Sequence, residues 1–407
     1  MSNKPLTLFL SVREREQFLN EAWQKKHHFF NQAFLDFEDL VGPDDLAALA
    51  MQADVESRMV QGETLATSFG PFTEQQLTEF PESNATLLVQ SVDHFDDSVA
   101  ALFAQFDFIP AWRKDDVMIS FSTKGGGVGA HYDHYDVFLV QGQGCRNWRI
   151  GQLCNEETTV DSSSGQNILQ DFDESASYSM KAGDVLYIPP GVAHWGATVE
   201  DAITYSIGFR APSLAELTTE WAELVAHGLS THSRYYDTLP LSLSAKGKAS
   251  ARLPAHSVAN LQTMFTTLAS SPASIAAALG VLQTELRPSA EQSVEPLTDL
   301  VWHDVLQHLR VGGTLSYNDS CRTCYFIDES GSQLFYNGLI ANTANCSVDW
   351  LETLCQPGQL DWHSVVKAGD HDSCLESEDP FNGNLRILML LLTAGVWTFD
   401  IVEQADG

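Results

Sequence analysis

The residues best suited to chemistry lie in one glycine-rich stretch of the chain. Three consecutive glycines, Gly125 to Gly127, lead toward His131, and Asp133 follows two residues later. In an extended segment, the side chains of residues i and i+2 point to the same side of the backbone. An imidazole and a carboxylate on the same side can supply two corners of a metal site and leave other positions open.

A third ligand is predicted further along the chain. The Gly183-Asp184 pair indicates a turn, and Val185 to Ile188 indicates a buried strand. The Pro189-Pro190-Gly191 bend that follows leads His194 onto the next strand. A barrel of short strands can bring His194 next to the first pair, which gives a set of two histidines and one carboxylate.

A shift of one residue would select a different pair. His134 and Asp136 also lie two residues apart, and they share the opposite face of an extended segment. We favour His131 and Asp133 because the glycine-rich approach ends at His131.

Two histidines and one carboxylate with open positions are typical of iron(II) oxygenases. Zinc is more often held by three or four nitrogen or sulfur ligands. Iron in this setting needs a co-substrate that supplies electrons, and 2-oxoglutarate does so by chelating the metal through its keto acid end. The sequence therefore predicts Fe(II), 2-oxoglutarate and O2 as the cofactor and co-substrates.

The far carboxylate of 2-oxoglutarate needs a cationic partner. Arg146 begins the strand after the metal-binding segment and can make a two-pronged contact with a carboxylate. Arg149 is the alternative by position. Ser122, at the end of the strand that enters the glycine loop, could add a hydroxyl.

The strand pattern around these residues predicts a barrel. Between residues 117 and 209, short runs of β-branched and aromatic residues alternate with Gly, Asp and Pro. Such spacing favours a cupin-type jelly roll, a double-stranded β-helix. The predicted strands are Val117–Ser122, Tyr135–Gln141, Asn147–Ile150, Val185–Ile188 and Ile203–Phe209.

The flanking regions are predicted to be mainly helical, which makes the fold class α+β. From Leu6 to about Ala111 we expect helices, the clearest being Asp44–Met51 and Asp93–Phe106. The later predicted helices are Leu214–Leu229, Ala259–Leu286 and Asp299–Leu309, followed by a ribbon at Tyr325–Asp328 and Leu334–Tyr336 and a strand at Val396–Ile401. Helices followed by a ribbon are compatible with a winged-helix-like C-terminal domain.

Composition narrows the functional class. The chain has 407 residues, is 44% hydrophobic and carries a formal net charge of −32. This charge argues against nucleic-acid binding, which needs clustered Lys and Arg, and it suits a basic protein partner. The sequence has no apolar run long enough to span a membrane and no signal-peptide pattern at its N-terminus, so we expect a cytoplasmic protein.

Seven cysteines do not form a predicted disulfide framework. Cys321 and Cys324 resemble half of a zinc or redox site. A second pair would have to come from Cys346, Cys355 or Cys374, whose spacing is not that of a zinc ribbon. We interpret them as ordinary cysteines of a reducing compartment.

Several longer strings resemble the JmjC-domain 2-oxoglutarate oxygenases, and in particular the branch that modifies ribosomal proteins. The resemblance is dense over about residues 6–230. The matching strings are Asp116–Ser122, Gly125–Phe138, Trp148-Arg149, Gly183–Gly191 and Tyr205–Pro212. It implies a catalytic domain over residues 1–212 with its barrel at about 112–212, a helical dimerisation region at 213–292 and a winged-helix-like domain at 293–407. A homodimer is implied in the same way.

The resemblance also implies an activity, namely hydroxylation of an arginine β-carbon in a basic ribosomal protein of the large subunit (L-sixteen type), with succinate and CO2 as co-products. The metal ligands of the family correspond to His131, Asp133 and His194, and its 2-oxoglutarate-binding arginine corresponds to Arg146. Three alternatives stay open at this point. They are hydroxylation of histidine or asparagine, lysine demethylation, and a metal-binding cupin without turnover that acts in ribosome assembly.

An arginine substrate predicts further contacts. A guanidinium near the iron needs an acidic partner and a flat or apolar wall. Residues of suitable types lie on strands beside the metal: Asp116, Met118, Tyr135 and Ser206. Asp116 could equally be a turn residue paired with Lys114.

Overall fold

The structure is a computed structural model that describes residues 6–162, 167–236, 243, 247–248, 252–287, 294, 296–298, 300–368 and 383–400. The chain divides into two compact units. The first comprises residues 1–211 and 287–293, and the second comprises residues 212–286 and 294–407.

The first unit contains four α-helices and thirteen strands among its described residues. In chain order they are α1 (Val12–Glu21), β1 (His28–Phe30), α2 (Pro43–Ala50), β2 (Ser57–Gln61), β3 (Ala66–Phe69), α3 (Glu74–Thr78), β4 (Ala85–Val89), α4 (Asp97–Ala104), β5 (Lys114–Ser122), β6 (Asp136–Gln141), β7 (Arg146–Leu153), β8 (Val160–Asp161), β9 (Ile168–Leu169), β10 (Ala176–Met180), β11 (Val185–Ile188), β12 (Val192–Thr198) and β13 (Ala202–Phe209).

These strands form a jelly roll, as predicted. The large sheet is antiparallel and has the order β1-β11-β6-β13-β5-β4-β2-β3, and a smaller sheet has the order β10-β7-β12. The strand pair β8–β9 lies outside both sheets. The predicted strands of the barrel are all present, with bounds that differ by at most a few residues.

Strand β6 separates two apolar layers. Val137 and Leu139 pack in the cluster between the sheets, whereas Phe138 and Val140 pack in the larger core under the N-terminal helices. Successive side chains of a strand point to opposite faces, so an apolar run predicts a strand that is buried on both sides. On the helical side, Phe18 contacts Tyr187, with ring centroids 4.9 Å apart.

The N-terminal region is less helical than predicted. Helix α2 confirms the expected helix at Asp44–Met51, but strands β1 to β4 also lie before Ala111, and all four join the large sheet. Short apolar runs such as that of β4 do not distinguish a strand from a buried helix by periodicity alone. The predicted helix Asp93–Phe106 divides into a 3₁₀ turn (Val92–His94) and α4, because Asp96 caps a new N-terminus there.

The second unit contains the remaining elements. They are α5 (Leu214–Gly228), α6 (Ala255–Ala269), α7 (Pro272–Thr284), α8 (Trp302–Arg310), β14 (Leu315–Tyr317), β15 (Thr323–Asp328), β16 (Gly331–Tyr336), β17 (Leu339–Asn342), α9 (Val348–Leu354), β18 (Gln359–Leu360), α10 (Trp362–Ala368), α11 (Gly383–Thr393) and β19 (Trp397–Phe399).

Two small sheets organise this unit, with the strand orders β18-β14-β19 and β15-β16-β17. The predicted ribbon is present as β15 and β16. The predicted helix Ala259–Leu286 is broken into α6 and α7, since Pro272 cannot continue a helix and instead begins the next one. No described helix is by itself long and apolar enough to cross a membrane, although the bent pair α6 and α7 passes a test of length and composition when taken together.

The described cysteines of this unit are free thiols, of which Cys321 and Cys355 are buried and Cys324 and Cys346 are partly buried. Burial raises the pKa of Cys321 to about 11 and that of Cys324 to about 12, so both are protonated at neutral pH. Neither belongs to a metal-ligand cluster among the described residues. Cys374, one of the possible partners, lies outside the described part of the chain.

Candidate metal centre

A backbone bridge joins the two segments that carry the histidines. The His131 amide donates to the His194 carbonyl over 3.0 Å, and the His194 amide donates to the His131 carbonyl over 2.8 Å. The Gly191 amide donates to the Asp133 carbonyl over 2.7 Å. His131 and Asp133 lie before β6 in an extended segment, and these bonds attach that segment to β12.

The three predicted ligand side chains meet at one point. One ligand atom from each of His131, Asp133 and His194 lies within 4.8 Å of the others, and this is the only such cluster found in the described ranges. His194 Nε2 lies 3.5 Å from Asp133 Oδ2. Sequence spacing therefore identified three side chains that the fold brings together.

The histidine rings are oriented by the backbone. His131 Nδ1 lies 3.0 Å from the Gly129 carbonyl, and His194 Nδ1 lies 3.0 Å from the Val192 carbonyl. A carbonyl only accepts, so each Nδ1 carries the proton and each Nε2 lone pair is left for a metal. This is the hydrogen-bond pattern that ligating histidines usually have.

The electrostatics keep two of these groups in the protonation states that a metal needs. Burial and the neighbouring His194 lower the pKa of His131 to about 4, so its imidazole is neutral at neutral pH. Burial alone would raise the pKa of Asp133, but its contact with His194 and its electrostatic interactions with both histidines outweigh burial and lower the pKa to about 2. A neutral imidazole and an ionised carboxylate are the ligand forms.

The alternative pair occupies different surroundings. His134 is exposed, and Asp136 is fully buried on the helical side of β6. The Tyr187 hydroxyl donates to one oxygen of Asp136, and Gln24 Nε2 donates to the other over 2.8 Å. The hydrogen bonds of Asp136 thus stabilise the N-terminal core and do not contribute to the metal cluster.

Arg146 lies in the same cavity as the triad and has no carboxylate partner among the described residues. Its guanidinium is buried, donates to Ser122 Oγ and, over 3.4 Å, to Ser120 Oγ, and has an Nε without a hydrogen-bond partner. Burial lowers its pKa to about 10, so the group is still charged at neutral pH. A buried charge without a counter-ion is costly. An anionic ligand such as the far carboxylate of 2-oxoglutarate therefore fits here.

Arg149, the alternative, does not line this cavity. Its guanidinium stacks over the Trp195 ring at 3.9 Å and lies 4.0 Å from Glu174. The side chain is 39% exposed.

The serines of β5 divide between two roles. Ser122, the predicted contact, is fully buried, with its hydroxyl against Arg146 and 2.9 Å from Thr86 Oγ1. Ser120, two residues earlier on the same face, lines the cavity itself. Ser122 thus contacts the arginine, and Ser120 provides the hydroxyl at the cavity surface.

Three of the four predicted substrate residues line the cavity, namely Met118, Tyr135 and Ser206. Met118 and Ser206 are register partners on β5 and β13. Asp116 lies two residues before Met118 and is buried outside the lining. One of its carboxylate oxygens, Oδ2, accepts from Gln90 Nε2 over 2.7 Å and from the amide and hydroxyl of Ser91.

Sequence reasoning missed the residues that come from the first strands. Arg58 on β2 and Thr86 and Leu88 on β4 line the cavity, and the Nε of Arg58 is buried without a hydrogen-bond partner. Once a region is interpreted as helical, its side chains are no longer expected on a sheet face. Ser57–Gln61 has two polar residues, then two apolar ones, then one polar residue, so it lacks the alternation that identifies a strand, and no local signal marks β2.

Comparison with known protein families shows the class of domain that this chain contains. Residues 101–217 match the JmjC domain family. A fold of two antiparallel sheets with a two-histidine, one-carboxylate cluster in its cavity agrees with that match.

Longer matches then give the family. The chain is 30% identical over 379 residues to a probable ribosomal oxygenase of Haemophilus influenzae, covering 90% of each chain. It is 42% identical over 212 residues to the ribosomal protein uL16 3-hydroxylase of Escherichia coli, a match that spans 56% of that protein. The structure of YcfD, a ribosomal oxygenase from E. coli, superimposes with a TM-score of 0.79 at 30% identity, covering 98% of this chain and all of the other. The chain belongs to the ribosomal oxygenase family.

The same fold has been seen with ligands. YcfD in complex with cobalt and 2-oxoglutarate matches with a TM-score of 0.79 over 97% of this chain. A structure with cobalt and succinic acid matches with a TM-score of 0.78. The donor set of His131, Asp133 and His194 fits a divalent metal, and the buried Arg146, which forms no ion pair with any described carboxylate, fits a dicarboxylate.

Proposed function

We propose that the protein is an Fe(II)- and 2-oxoglutarate-dependent hydroxylase that acts on the β-carbon of an arginine in a basic large-subunit ribosomal protein of the uL16 type. The observation that carries the proposal is the cavity, which holds a metal-ligand triad and, on its wall, a buried arginine with no acidic partner in the described part of the chain. The names of the relatives supply the class of target.

The metal and co-substrate supply the oxidising chemistry, in which O2 and 2-oxoglutarate are converted to a hydroxyl group on the substrate, succinate and CO2. The protein's own residues do the positioning. His131, Asp133 and His194 hold the metal on one side and leave its other positions open. Arg146, fixed by Ser120 and Ser122, binds the far carboxylate of the co-substrate.

The cavity wall selects and orients the target side chain. Tyr135 is 37% exposed and offers a ring at the cavity surface, and Met118 and Ser206 form the wall between β5 and β13. Asp116, which is buried behind the lining two residues before Met118 and on the same face of β5, is the carboxylate that we assign to the guanidinium. Holding one C–H bond next to the metal is what turns a general oxidant into a selective hydroxylase.

The remaining proposals concern organisation and location. We assign residues 1–212 to the catalytic domain, 213–292 to a helical dimerisation region and 293–407 to a winged-helix-like domain, in a cytoplasmic homodimer that does not bind nucleic acid. Exposed apolar residues of α5 to α7 support a dimer surface: Leu214, Val258, Met264, Phe265 and Ile275. Light scattering coupled to gel filtration tests it, and a monomeric mass would contradict the assignment.

Mass spectrometry tests the activity. The purified chain is incubated with Fe(II), ascorbate, 2-oxoglutarate and basic peptides from ribosomal proteins. We expect an added oxygen atom on an arginine of a uL16 peptide, and none when 2-oxoglutarate is omitted. Succinate without hydroxyarginine would keep the oxygenase and discard the target. If neither product forms, the cavity is a metal-binding pocket without turnover.

A further inference from the structure

Two consecutive acidic residues at the start of β5 share a network of arginines. Arg287 Nε donates to Asp115 Oδ1 over 2.8 Å, and its Nη2 donates to Asp115 Oδ2. Arg210 Nε donates to Asp115 Oδ1 over 3.1 Å. The Asp115 side chain is only 12% exposed, so this is a two-pronged ion pair with little access to water.

Asp116 is held differently from its neighbour. Its Oδ2 is occupied by the three donors of Gln90 and Ser91. Its Oδ1 lies 3.7 Å from Arg287 Nη2, which is within ion-pair range but beyond hydrogen-bonding distance. Arg287, which follows α7 and belongs to the first unit, is therefore the cation common to both carboxylates.

We propose that Arg287 is a positioning residue for the substrate. Arg287 pairs with Asp115 and thereby keeps Asp116 ionised, so that Asp116 Oδ1 can accept a hydrogen bond from the substrate guanidinium. The inference rests on the proposed function, because it assigns Asp116 to the arginine side chain. It extends that function to a residue far from the barrel in sequence.

The charges around Asp116 explain why such help is needed. Burial is the main cause that raises the pKa of Asp116, the charge of Arg287 is the largest that lowers it, and Asp115 raises it again. Without Arg287, the pKa of Asp116 rises further and its carboxylate takes up a proton at a higher pH. The other titratable or charged groups around this pair are Arg210, Glu56, Asp93, His94 and Tyr135.

The pH dependence of kcat/KM for an arginine peptide tests the inference. In Arg287→Gln we expect the acidic limb of the profile to move to higher pH and the KM for the peptide, measured on that limb, to rise about tenfold. The KM for 2-oxoglutarate stays unchanged, because Arg146 is not part of this network. Arg287→Lys keeps the charge and recovers most of the shift.

A double-variant cycle separates charge from structure. Asp115→Asn removes the repulsive neighbour, so the acidic limb moves to lower pH than in the wild type. The double variant Asp115→Asn/Arg287→Gln loses one attraction and one repulsion, and its limb returns toward the wild-type position. A purely structural role for the ion pair predicts no such ordering. The matched control is Arg149→Gln, which alters an arginine that does not line the metal cavity.

Three outcomes of these experiments would contradict the role of Arg287. If Arg287→Gln folds and its acidic limb coincides with that of the wild type, the inference is wrong. If Arg287→Gln fails to fold, Asp115→Asn is compared with the double variant, in which no Asp115 charge is left unpaired. This comparison still measures the effect of Arg287 on the acidic limb. If the acidic limbs of these two variants coincide, the inference is wrong. If the wild type forms no hydroxyarginine, the proposed function fails first and the inference fails with it.

Discussion

Each histidine ligand of the candidate metal centre has a second contact that orients its ring, and Asp133 Oδ2 lies 3.5 Å from His194 Nε2. His131 and His194 bond through Nδ1 to backbone carbonyls of their own segments. The ring centroids of the two histidines lie 4.3 Å apart. Replacement of one ligand side chain therefore removes a metal contact but leaves the backbone hydrogen bonds between the two segments in place.

Replacement of Asp133 is expected to abolish turnover. Asp133→Ala removes the only anionic ligand of the triad, so succinate formation falls below detection and metal affinity decreases. Activity is followed by succinate release, and metal binding by calorimetry with Co(II). His134→Ala, which changes an exposed neighbour, is the control. Retained turnover at normal metal loading would contradict the assignment.

Replacement of Arg146 is expected to act on the co-substrate. A hydrogen bond to a charged group contributes about 1.5–3 kcal/mol, so Arg146→Gln raises the KM for 2-oxoglutarate about 10- to 100-fold. The KM for the peptide is affected much less. Arg149→Gln is the matched control, and equal effects of the two substitutions would show that the buried arginine has no special role.

At the scale of residues, the sequence was sufficient to predict the metal ligands because their signals are local. His131 and Asp133 lie two residues apart on one segment, and His194 follows a Pro-Pro-Gly bend on the other. The cavity wall was harder to predict. Arg58 reaches the site through strand pairing between β2 and β4. Whether Ser120 or Ser122 lies at the cavity surface depends on where the Arg146 side chain meets β5. Pairing partners that are distant in sequence leave no local pattern.

At the scale of elements, the glycine loop and β12 depend on close backbone contact. A Cβ at Gly127 would lie 2.4 Å from the carbonyl oxygen of Gly196, and a Cβ at Gly196 would lie 2.8 Å from the Trp148 ring. Both glycines line the cavity. The spacing between the metal-binding segment and β12 is therefore set by the absence of side chains.

Gly127→Ala tests this dependence. The added methyl group meets backbone that cannot rotate away, so we expect a loss of about 1–3 kcal/mol in the free energy of unfolding and weaker metal binding. Tm is measured with and without Co(II). Gly228→Ala, at the end of α5 with no atom within 4 Å of the new methyl group, should leave both values unchanged. Equal Tm changes for the two variants would contradict the expectation.

The elements of the barrel were predictable from turn residues and β-branched runs, whereas the strands before it were not. The sequences of β1 to β4 do not stand out from helical sequence, because their apolar runs are short and lie between real helices. Strand β6 was predictable because its β-branched and aromatic residues are bounded by turn residues, and its run is apolar because both faces of the strand are buried.

At the scale of the whole molecule, the net charge of −32 comes from 54 acidic and 22 basic residues. A surface of one sign attracts a basic partner over roughly a Debye length, about 8 Å at 0.15 M salt. We expect the KM for a basic peptide to rise steadily with NaCl concentration while kcat stays constant. The KM for 2-oxoglutarate, measured in the same series, is the comparison. A peptide KM that does not change with salt would assign the acidity to solubility alone.

The reciprocal amide bonds between His131 and His194 have a consequence for metal exchange. Because protein backbone and not the ion holds the two segments together, the apoprotein keeps its ligands in place, and filling the site needs no folding step. A preformed set of two histidines and one carboxylate accepts several divalent ions, because imidazole and carboxylate ligands bind iron, cobalt, nickel and zinc, and metal availability contributes to which ion a site holds. We therefore expect the metal content of the protein as isolated to follow the supply of these ions in the cell.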